Sequence, residues 1–479
     1  MTRYNSITPD ILRKLRQIAG PQYVIAKNPD ELEKYSHDEI PDPAYAHMPD
    51  VVVKPGTVEE ISAIMRLANR ERIPVTPRGA GSGLSGGAVP VYGGIVLSIE
   101  RLNQVVEIDP KNLMMTVEAG MVTNEINEIL APYNLFYAGY PMSLETCFIG
   151  GNVAENAGGG KAIKYGVTDR YVHGLEVVLP TGDIVQLGGK RVKDVTGYDL
   201  LRLMVGSEGT LGIFTTVTLK LLPLPKTSVN LLVLFRSVEE AMDTVPVLMT
   251  ETGVIPTAIE FMDQLSVQTA CRYLNEHLPY QEAGAMLLLE IDGNNTDQVE
   301  AQYEAVGEVC LEHDAIEVYV ADNATTRERV WRVRRNIGEA FSVYSPVRGR
   351  EDIVVPVAQI PELIREIEAM SAQYAILMPS FGHAGDGNLH CNPIKPPEMT
   401  LGDWHALLPK ILTDLYTRTV KLGGTISGEH GIGSKRKNYL PLALDPTVIA
   451  LMRRVKAAFD PNNVLNPGKI FPDTANDSL

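Results

Sequence analysis

The chain has 479 residues, 44% of them hydrophobic and 21% charged, a composition typical of a globular protein with two or three domains. The formal net charge of −16 argues against a nucleic-acid-binding or anionic-membrane-binding surface, although a local basic pocket for a small anion remains compatible with it. Four widely spaced cysteines with no C-x-x-C pair argue against an iron–sulfur cluster, an all-cysteine zinc site and a disulfide framework: Cys147, Cys271, Cys310 and Cys391.

The N-terminus lacks the apolar core of a signal peptide, and no apolar run reaches the roughly 18 residues that a membrane-spanning helix needs. We therefore expect a cytoplasmic protein without a transmembrane segment. Residues 1–48 are predicted to form a helical segment, because Thr8-Pro9-Asp10 is a helix start signal and Gly20 a stop signal.

From residue 51 the pattern changes to alternating strands and helices. Val51–Val53 is predicted as a strand, and Thr57 with Glu60 forms a capping box that opens a helix to about Asn69. Ile73–Thr76 is the next predicted strand. A glycine-rich run, Pro77 to Gly87, follows directly.

Within that run, Gly81 to Gly86 matches the pattern G-x-G-x-x-G. A nicotinamide-binding Rossmann unit would require a helix next, which Pro90 and the Gly93-Gly94 pair exclude, so we reject that interpretation. Successive glycines can still turn backbone N–H groups toward one concavity that holds phosphate oxygens. A flexible surface loop is the alternative.

Two further runs rich in small residues follow, Thr146 to Gly160 and Gly206 to Ile213. Small side chains allow the backbone to approach a flat ligand closely, and Asn152 and Asn156 could donate hydrogen bonds to its edge. Three such runs in one α+β segment indicate a large planar cofactor that carries a pyrophosphate.

Pro223-Leu224-Pro225 marks a predicted domain boundary. Beyond it, strands alternate with helices, which predicts an antiparallel sheet with helices on one face. The predicted strands are Val229–Phe235, Met286–Ile291, Ile353–Val357 and Ala375–Met378. A long helix from about Thr325 to Val343 carries a row of arginines, most of which we expect to face solvent.

Two histidines flank the run Ala384 to Asn388, which we predict to be the turn of a hairpin. Such a hairpin would place His383 and His390 opposite each other, about 5 Å apart and close enough to share a metal ion. Further on, glycines surround Glu429 and His430. Two histidines and a carboxylate form a common open site for Zn, Mn or Fe; unconnected loop residues are the alternative.

Together these segments resemble a known family. Pro77–Ser85, Ile149–Gly159 and Gly206–Ile213 are similar to the flavin-binding segments of vanillyl-alcohol-oxidase-type (PCMH-type) flavoproteins. The His383–His390 and Gly428–Gly433 segments, with Asn466 to Lys469, resemble the branch that contains the glycolate oxidase flavoprotein subunit, D-lactate dehydrogenase and D-2-hydroxyglutarate dehydrogenase. The resemblance covers about residues 25–472.

The resemblance implies an α+β fold in which a two-lobed PCMH-type FAD-binding domain, residues 49–225, is joined to a substrate cap domain, residues 226–425, that combines an antiparallel sheet with helices. Residues 426–479 would return to the flavin. FAD would be non-covalent, because no histidine lies in the first glycine loop. The implied FAD-binding residues are Pro77, Arg78, Gly79, Ala80, Gly81, Ser82, Gly83, Pro141, Thr146, Gly150, Gly151, Asn152, Ala154, Asn156, Gly158, Glu208, Gly209, Ile213 and Asn466.

The resemblance also implies the roles of the polar residues in the second half. His383, His390 and Glu429 would bind a divalent metal, and His430 would be the catalytic base. Arg334, Arg350 and Asn392 would bind the substrate. Two departures, Gly338 where hydroxyglutarate enzymes often carry a hydroxyl residue and Arg350 where they usually carry lysine, weaken the case for a dicarboxylate.

The expected reaction is therefore oxidation of a small 2-hydroxy acid, D-lactate or glycolate, with hydride passing to flavin N5. The expected electron acceptors are an electron-transfer flavoprotein, an iron–sulfur subunit or a quinone at the inner face of a membrane, and the expected assemblies are a homodimer or a hetero-oligomer. Three alternatives stay open: a D-2-hydroxyglutarate dehydrogenase, an ether-lipid-synthase-like flavoprotein, and an electron-transfer subunit without substrate chemistry.

Overall fold

The structure, a computed structural model, describes residues 4–139 and 141–473. The chain forms two compact units. Unit 1 comprises residues 1–158, 167–224 and 429–479, and unit 2 comprises residues 159–166 and 225–428. Both combine helices with sheets, which confirms the predicted α+β class. Our division into four segments remains a prediction.

Across the described residues, eighteen strands are present. In chain order they are β1 Val24–Ile25, β2 Val51–Val53, β3 Val75–Arg78, β4 Ile95–Ser98, β5 Val105–Asp109, β6 Met114–Glu118, β7 Leu135–Phe136, β8 Val172–Val178, β9 Ile184–Gly188, β10 Ile213–Lys220, β11 Leu222–Pro223, β12 Thr227–Phe235, β13 Ala258–Asp263, β14 Ala285–Gly293, β15 Glu317–Ala321, β16 Glu351–Val354, β17 Ser380–His383 and β18 Asn388–Cys391.

The same described part of the chain contains fifteen α-helices. They are α1 Pro9–Ala19, α2 Pro29–Glu33, α3 Val58–Glu71, α4 Thr123–Leu130, α5 Ile149–Glu155, α6 Ala162–Tyr165, α7 Leu200–Met204, α8 Val238–Thr252, α9 Gln264–Leu274, α10 Thr296–Glu312, α11 Ala324–Ala340, α12 Ile360–Tyr374, α13 Leu401–Lys421, α14 Leu440–Ala443 and α15 Pro446–Phe459. Residues 1–48 are thus less helical than predicted.

Unit 1 contains two main sheets. In the first, β2, β4 and β3 run parallel and β1 adds an antiparallel edge; the second is antiparallel, in the order β5-β6-β10-β8-β9. The predicted capping box holds, since Thr57 Oγ1 accepts a hydrogen bond from the Glu60 backbone N–H at 3.2 Å. Helix α3 then buries Ile61 and Ile64 in the core. This sheet pair is the framework that presents the glycine loops.

Unit 2 is built on one seven-stranded sheet in the order β15-β12-β14-β13-β17-β18-β16, with every pairing antiparallel. The prediction that helices cover one face is wrong. Glu260 and Phe261 are neighbours on β13 and point to opposite faces. Glu260 meets Arg334 of α11, whereas Phe261 lines a cavity with Val238 of α8 and Ile364 of α12. Helices therefore contact both faces of the sheet.

The histidine hairpin also departs from prediction in two details. Ala375 ends α12 in the left-handed conformation (φ 52°), and the strand begins only at Ser380. The apolar run between them is an irregular connection in which Ile376 and Met378 are buried and Leu377 is exposed. The register pairs Phe381 with His390 and His383 with Asn388. His383 and His390 are therefore diagonal neighbours on one face of the sheet, not directly opposed residues.

Candidate active site

The centre of the candidate site is the pair of buried histidines on β17 and β18. Their imidazole centroids lie 5.3 Å apart with the rings nearly perpendicular. Phe381 packs beside His390 with ring centroids 5.2 Å apart. The hairpin thus holds two imidazoles in a fixed mutual arrangement, as a shared divalent ion would require.

Glu260 on β13 orients the first histidine. It is the direct cross-strand partner of His383, and its Oε1 lies 2.6 Å from His383 Nδ1. Burial alone would raise the pKa of Glu260, but the Arg334 guanidinium and His383 more than offset that effect, so its pKa is lowered. An ionised Glu260 accepts the Nδ1 proton, which leaves Nε2 as the lone-pair nitrogen. Metal-binding histidines commonly have such a carboxylate partner.

Arg334 shares the same carboxylate. It extends from α11, is almost completely buried, and forms an ion pair with Glu260. Its guanidinium carbon also lies 4.9 Å from the centroid of the Phe381 ring. The Arg334 Nε atom has no hydrogen-bond partner within the described residues. The contacts to Glu260 and Phe381 therefore fix the position of the Arg334 guanidinium, and its Nε–H group is left as a donor for an anionic ligand.

A second buried carboxylate, Asp352 on β16, lies beside the second histidine. It is the cross-strand partner of His390. Its Oδ1 accepts from Asn388 Nδ2 at 2.6 Å, and its Oδ2 accepts from Ser427 Oγ at 2.8 Å and from the Gly428 backbone N–H at 2.9 Å. Asp352 therefore holds Ser427 and Gly428 in place. These are the last residues of unit 2, directly before the Glu429-His430 pair.

The two other predicted substrate residues lie at the ends of neighbouring strands. Arg350 directly precedes β16, and its Nη2 donates to Glu339 Oε2 at 3.0 Å. Asn392 directly follows β18 and is buried, with its amide 3.3 Å from the His390 carbonyl and 3.5 Å from the Pro379 carbonyl. Asn392 thus braces the hairpin, and its role toward substrate remains a prediction.

Glu429 and His430 belong to unit 1, where the carboxylate and the imidazole lie 3.7 Å apart. The next turn is held by Glu208, whose two carboxylate oxygens accept from the backbone N–H groups of Ile432 at 2.8 Å and Gly433 at 2.6 Å. Burial raises the pKa of Glu208, and those two N–H groups oppose the rise. The Glu208 carboxylate, which we predicted to contact FAD, thus binds the backbone N–H groups of this turn.

The first glycine loop of unit 1 leaves β3 at Arg78. The Arg78 side chain turns inward, and its Nη1 donates to the His37 carbonyl at 2.7 Å. Gly81 adopts a φ of +78°, which favours glycine. A Cβ at Gly83 would approach no heavy atom closer than 4.0 Å. Open space beside such backbone fits a phosphate-bearing ligand, and this supports the fit of FAD to the loop.

The second small-residue run forms α5, a helix that we did not predict. Gly151 in its first turn has no heavy atom within 4 Å of an added Cβ, so a flat ligand can approach there. Asn152 is buried and donates to Thr123 Oγ1 at 2.7 Å, while Asn156 Oδ1 accepts from the Asp169 backbone N–H at 2.9 Å. Burial raises the pKa of the Cys147 thiol, which disfavours a reactive thiolate.

The third run and the C-terminal segment are joined by Asn466, whose Nδ2 donates to the carbonyls of Gly87 at 3.0 Å and Glu208 at 2.8 Å. Asn466 therefore connects the first and third runs inside unit 1. The remaining predicted FAD-binding residues fall in three places: Pro77, Gly79, Ala80 and Ser82 around the end of β3; Pro141, Thr146, Gly150, Ala154 and Gly158 in and around α5; and Gly209 and Ile213 at the start of β10.

Sequence reasoning missed Glu260 and Asp352. Glu260 is an acidic residue inside a strongly apolar strand, Ala258-Ile259-Glu260-Phe261-Met262, whereas Asp352 follows Glu351 in a strand that begins with two acidic residues. A carboxylate in a buried strand requires a positive or hydrogen-bonding partner, so the pattern around Glu260 is a signal that could have identified it; no comparable signal marks Asp352.

Among the helices of residues 4–139 and 141–473, none combines the length and the hydrophobicity that a membrane-spanning segment needs. Comparison with known sequences finds two family matches. Residues 49–188 match the FAD binding domain family, and residues 224–470 match the family described as FAD linked oxidases, C-terminal domain.

Among curated proteins, the glycolate oxidase subunit GlcD of Bacillus subtilis is 40% identical and covers 98% of both chains. The D-lactate dehydrogenase of Anaerostipes hadrus is 38% identical, also over 98% of each. Among solved structures, p-cresol methylhydroxylase with substrate bound matches 98% of both chains with a TM-score of 0.81 at 18% identity. The last match confirms the PCMH-type fold.

Proposed function

This chain belongs to the FAD-linked oxidase family, and we propose that it oxidises a small 2-hydroxy acid, D-lactate or glycolate, to the 2-oxo acid. It is an FAD-dependent oxidoreductase of the group that includes glycolate oxidase, D-lactate dehydrogenase and D-2-hydroxyglutarate dehydrogenase. The observation that carries the proposal is the buried Glu260 carboxylate, which holds His383 and Arg334 on one face of one sheet.

FAD, when bound, supplies the acceptor for the hydrogen that leaves C2 of the substrate as hydride. Gly79, Gly81, Ser82 and Gly83 would hold its pyrophosphate through backbone N–H groups. Non-covalent attachment is supported by the absence of histidine from this loop and by the raised pKa of Cys147.

His383, His390 and Glu429 would hold a divalent metal, and the donor set of two imidazoles and a carboxylate suits Zn, Mn or Fe. Glu260 supports the assignment, because it directs the Nε2 lone pair of His383 away from β13. Asp352 supports it from the other side, since it anchors the backbone of Gly428, one peptide bond before Glu429. The metal would lower the pKa of a coordinated substrate hydroxyl.

His430 would accept the hydroxyl proton, a task for which an imidazole suits neutral pH. Arg334 and Arg350 would orient the substrate carboxylate, because guanidinium groups bind carboxylates through paired hydrogen bonds. Arg334 is positioned for this by its contacts to Glu260 and Phe381. Asn392 would keep the hairpin in register beside the substrate.

The reduced flavin must pass its electrons on. The sequence has no C-x-x-C motif, so we propose that the acceptor is an electron-transfer flavoprotein, an iron–sulfur subunit or a quinone. The acceptor does not affect the reductive half-reaction, which can be measured alone.

The test is anaerobic bleaching of the purified flavoprotein by a panel of D- and L-2-hydroxy acids, with and without chelator. We expect rapid bleaching by D-lactate or glycolate that chelator abolishes. His430→Ala should lose at least about 100-fold in the bleaching rate, and His277→Ala, at an exposed position, should not change it.

Three outcomes would contradict parts of the proposal. Bleaching by D-2-hydroxyglutarate alone would replace the substrate by the longer acid. A rate within a few-fold of wild type in His430→Ala would reject the base. No bleaching by any hydroxy acid would reject the reaction and favour an electron-transfer subunit.

A further inference from the structure

A short segment of unit 2 is separated in the chain from the rest of that unit. Residues 159–166 group with unit 2, whereas the chain up to residue 158 and the chain from residue 167 to residue 224 group with unit 1. The segment contains the single-turn helix α6, and Gly159 and Gly160 at its start are buried. The chain therefore joins unit 2 here for eight residues only, which directs attention to the contacts that these residues make.

The first contact is with the carboxylate that orients His383. A Cβ added to Gly160 would lie 2.6 Å from Glu260 Oε1 and 3.6 Å from His383 Nδ1, so the Gly160 backbone packs directly on the hydrogen bond between these two side chains. Gly160 does not adopt a positive φ, so backbone strain does not require glycine here. The need for glycine comes from the close approach of the backbone to the Glu260–His383 pair.

A second contact reaches the turn of the histidine hairpin. A Cβ added to Gly385 would lie 2.5 Å from Ile163 Cδ1 and 3.3 Å from Ile259 Cβ. The Gly385 N–H also donates to the Ile259 carbonyl at 3.2 Å. Ile163 therefore packs against the turn between β17 and β18, next to β13. The 159–166 segment thus touches the strand that carries Glu260 and the hairpin that carries both histidines.

Two buried acids of β14 hold the 159–166 segment in place. Lys161 Nζ donates to Glu290 Oε1 at 2.9 Å. Lys164 Nζ donates to the Asp292 carbonyl at 2.9 Å and pairs with its carboxylate, and the Tyr165 hydroxyl donates to Asp292 Oδ2 at 2.9 Å. The side chains of Glu290 and Asp292 are only 7% and 4% exposed, so these charge-assisted bonds are shielded from solvent and fix the segment more firmly than surface ion pairs would.

The contact at Gly160 has a consequence for the site. Glu260 is completely buried, and the Gly160 backbone is part of its cover. Water therefore does not compete for Glu260 Oε1, and a hydrogen bond in such surroundings is stronger than one in water. Carboxylate partners of this kind fix the orientation of metal-binding histidines. A segment that served only as a tether would need the β14 anchors but no close contact with Glu260.

We propose that the 159–166 segment positions the histidine pair for metal binding. Gly160 covers the Glu260–His383 hydrogen bond, and Ile163 supports the hairpin turn. Gly160 is a positioning residue in this scheme, because it acts through Glu260. The inference rests on the proposed function, in which His383 is a metal ligand, and it adds to that function a part of the chain with no ligand of its own.

The first experiment titrates the FAD-loaded full-length protein with Zn²⁺ or Mn²⁺ after treatment with chelator and dialysis. Gly160→Ala should bind the ion about 10–100-fold more weakly than wild type, because the methyl group displaces the Glu260 carboxylate from His383. The control is Gly307→Ala on α10, where the new Cβ would make an ordinary contact with Val318 at 3.6 Å. It should bind the ion as wild type does. Flavin content must be equal in all variants.

A double variant distinguishes action through Glu260 from general destabilisation. If Gly160 acts through Glu260, adding Gly160→Ala to Glu260→Gln should weaken metal binding no further. Two independent effects would instead multiply. Metal binding in the double variant that is weakened by the product of the two single losses would overturn the positioning role.

The second experiment loosens the 159–166 segment at a point away from Glu260. Asp292→Asn removes the ion pair with Lys164, so we expect faster tryptic cleavage after Lys161 or Lys164, located by mass spectrometry, together with several-fold weaker metal binding. The control Asp297→Asn, at an exposed position of α10, should change neither.

The outcomes distinguish the two proposals. A wild-type protein that binds neither ion would reject the proposed ligand set, and the positioning role with it. Metal binding by wild type that Gly160→Ala leaves unchanged would reject the positioning role alone. Wild-type metal affinity in Asp292→Asn, with tryptic cleavage accelerated, would do the same.

Discussion

The most informative single change is Glu260→Gln. Glu260 is completely buried between Arg334 and His383, and glutamine keeps its size while removing its charge. Arg334, 3% exposed, would then be a buried cation without its counter-charge. Breaking one side of a buried ion pair costs about 3–5 kcal/mol, so we expect a loss of that size in the free energy of unfolding. The Arg334–Phe381 contact is present in both proteins and does not offset this loss.

Glu328→Gln is the matched control, because it removes a glutamate ion pair of the same helix α11 at the surface. Glu328 is 61% exposed and pairs with Arg335. Exposed pairs contribute about 0–1 kcal/mol, so the control should be nearly as stable as wild type. Both variants are compared by urea denaturation in the presence of chelator, which removes any contribution from metal binding.

A double variant sharpens the test. Glu260→Gln/Arg334→Met removes both charges, so no unpaired buried cation remains, and part of the lost stability should return. A loss below about 1 kcal/mol in Glu260→Gln, or a double variant less stable than the single one, would refute the reasoning. Without chelator, the loss of the His383 partner should weaken metal binding by about 10–100-fold, measured by metal titration.

Gly433→Ala should destabilise the protein by at least about 1–2 kcal/mol, because φ is +53° and the new Cβ would lie 2.0 Å from the Ser85 carbonyl oxygen. The control in thermal unfolding is Gly402→Ala on α13, where the new Cβ would make only an ordinary contact with Thr400 Oγ1 at 3.8 Å. Burial lowers the pKa of Lys469 to about 7. Between pH 7 and the usual lysine pKa, the unfolded state therefore binds more protons than the folded state, and the free energy of unfolding should rise with pH. We expect this slope, measured by urea denaturation, to exceed that of Lys469→Met by up to about 1.4 kcal/mol per pH unit. His390→Ala should lose bound metal while keeping flavin, measured by elemental analysis and absorbance; retained metal would contradict the proposed ligand set.

Local signals in the sequence predicted many elements correctly. Thr57 with Glu60 identified the start of α3, and Thr8-Pro9 identified the start of α1, because capping depends on residues a few positions apart. Pro90 correctly ruled out a helix after the first glycine loop. The alternation of predicted strands and helices beyond Pro225 likewise indicated the antiparallel sheet of unit 2.

The errors arose where distant residues decide the outcome. Ala375 to Met378 is as apolar as a strand, but Ala375 closes α12 in a left-handed conformation and the chain joins the sheet only at Ser380. The hairpin register was missed for a local reason instead. The turn spans only residues 384–387, so His383 pairs with Asn388 and lies diagonal to His390.

The order of strands explains how the sheet of unit 2 organises the polar groups. In the sequence β13-β17-β18-β16, each histidine has an acidic cross-strand partner on its outer side, Glu260 for His383 and Asp352 for His390. Directly paired residues of an antiparallel sheet point to the same face. The two carboxylates differ because their other contacts differ: Glu260 is bound by a cation, whereas Asp352 is bound by Ser427 and the Gly428 backbone. One acid therefore holds His383 beside Arg334, and the other sets the path of the chain toward the second motif.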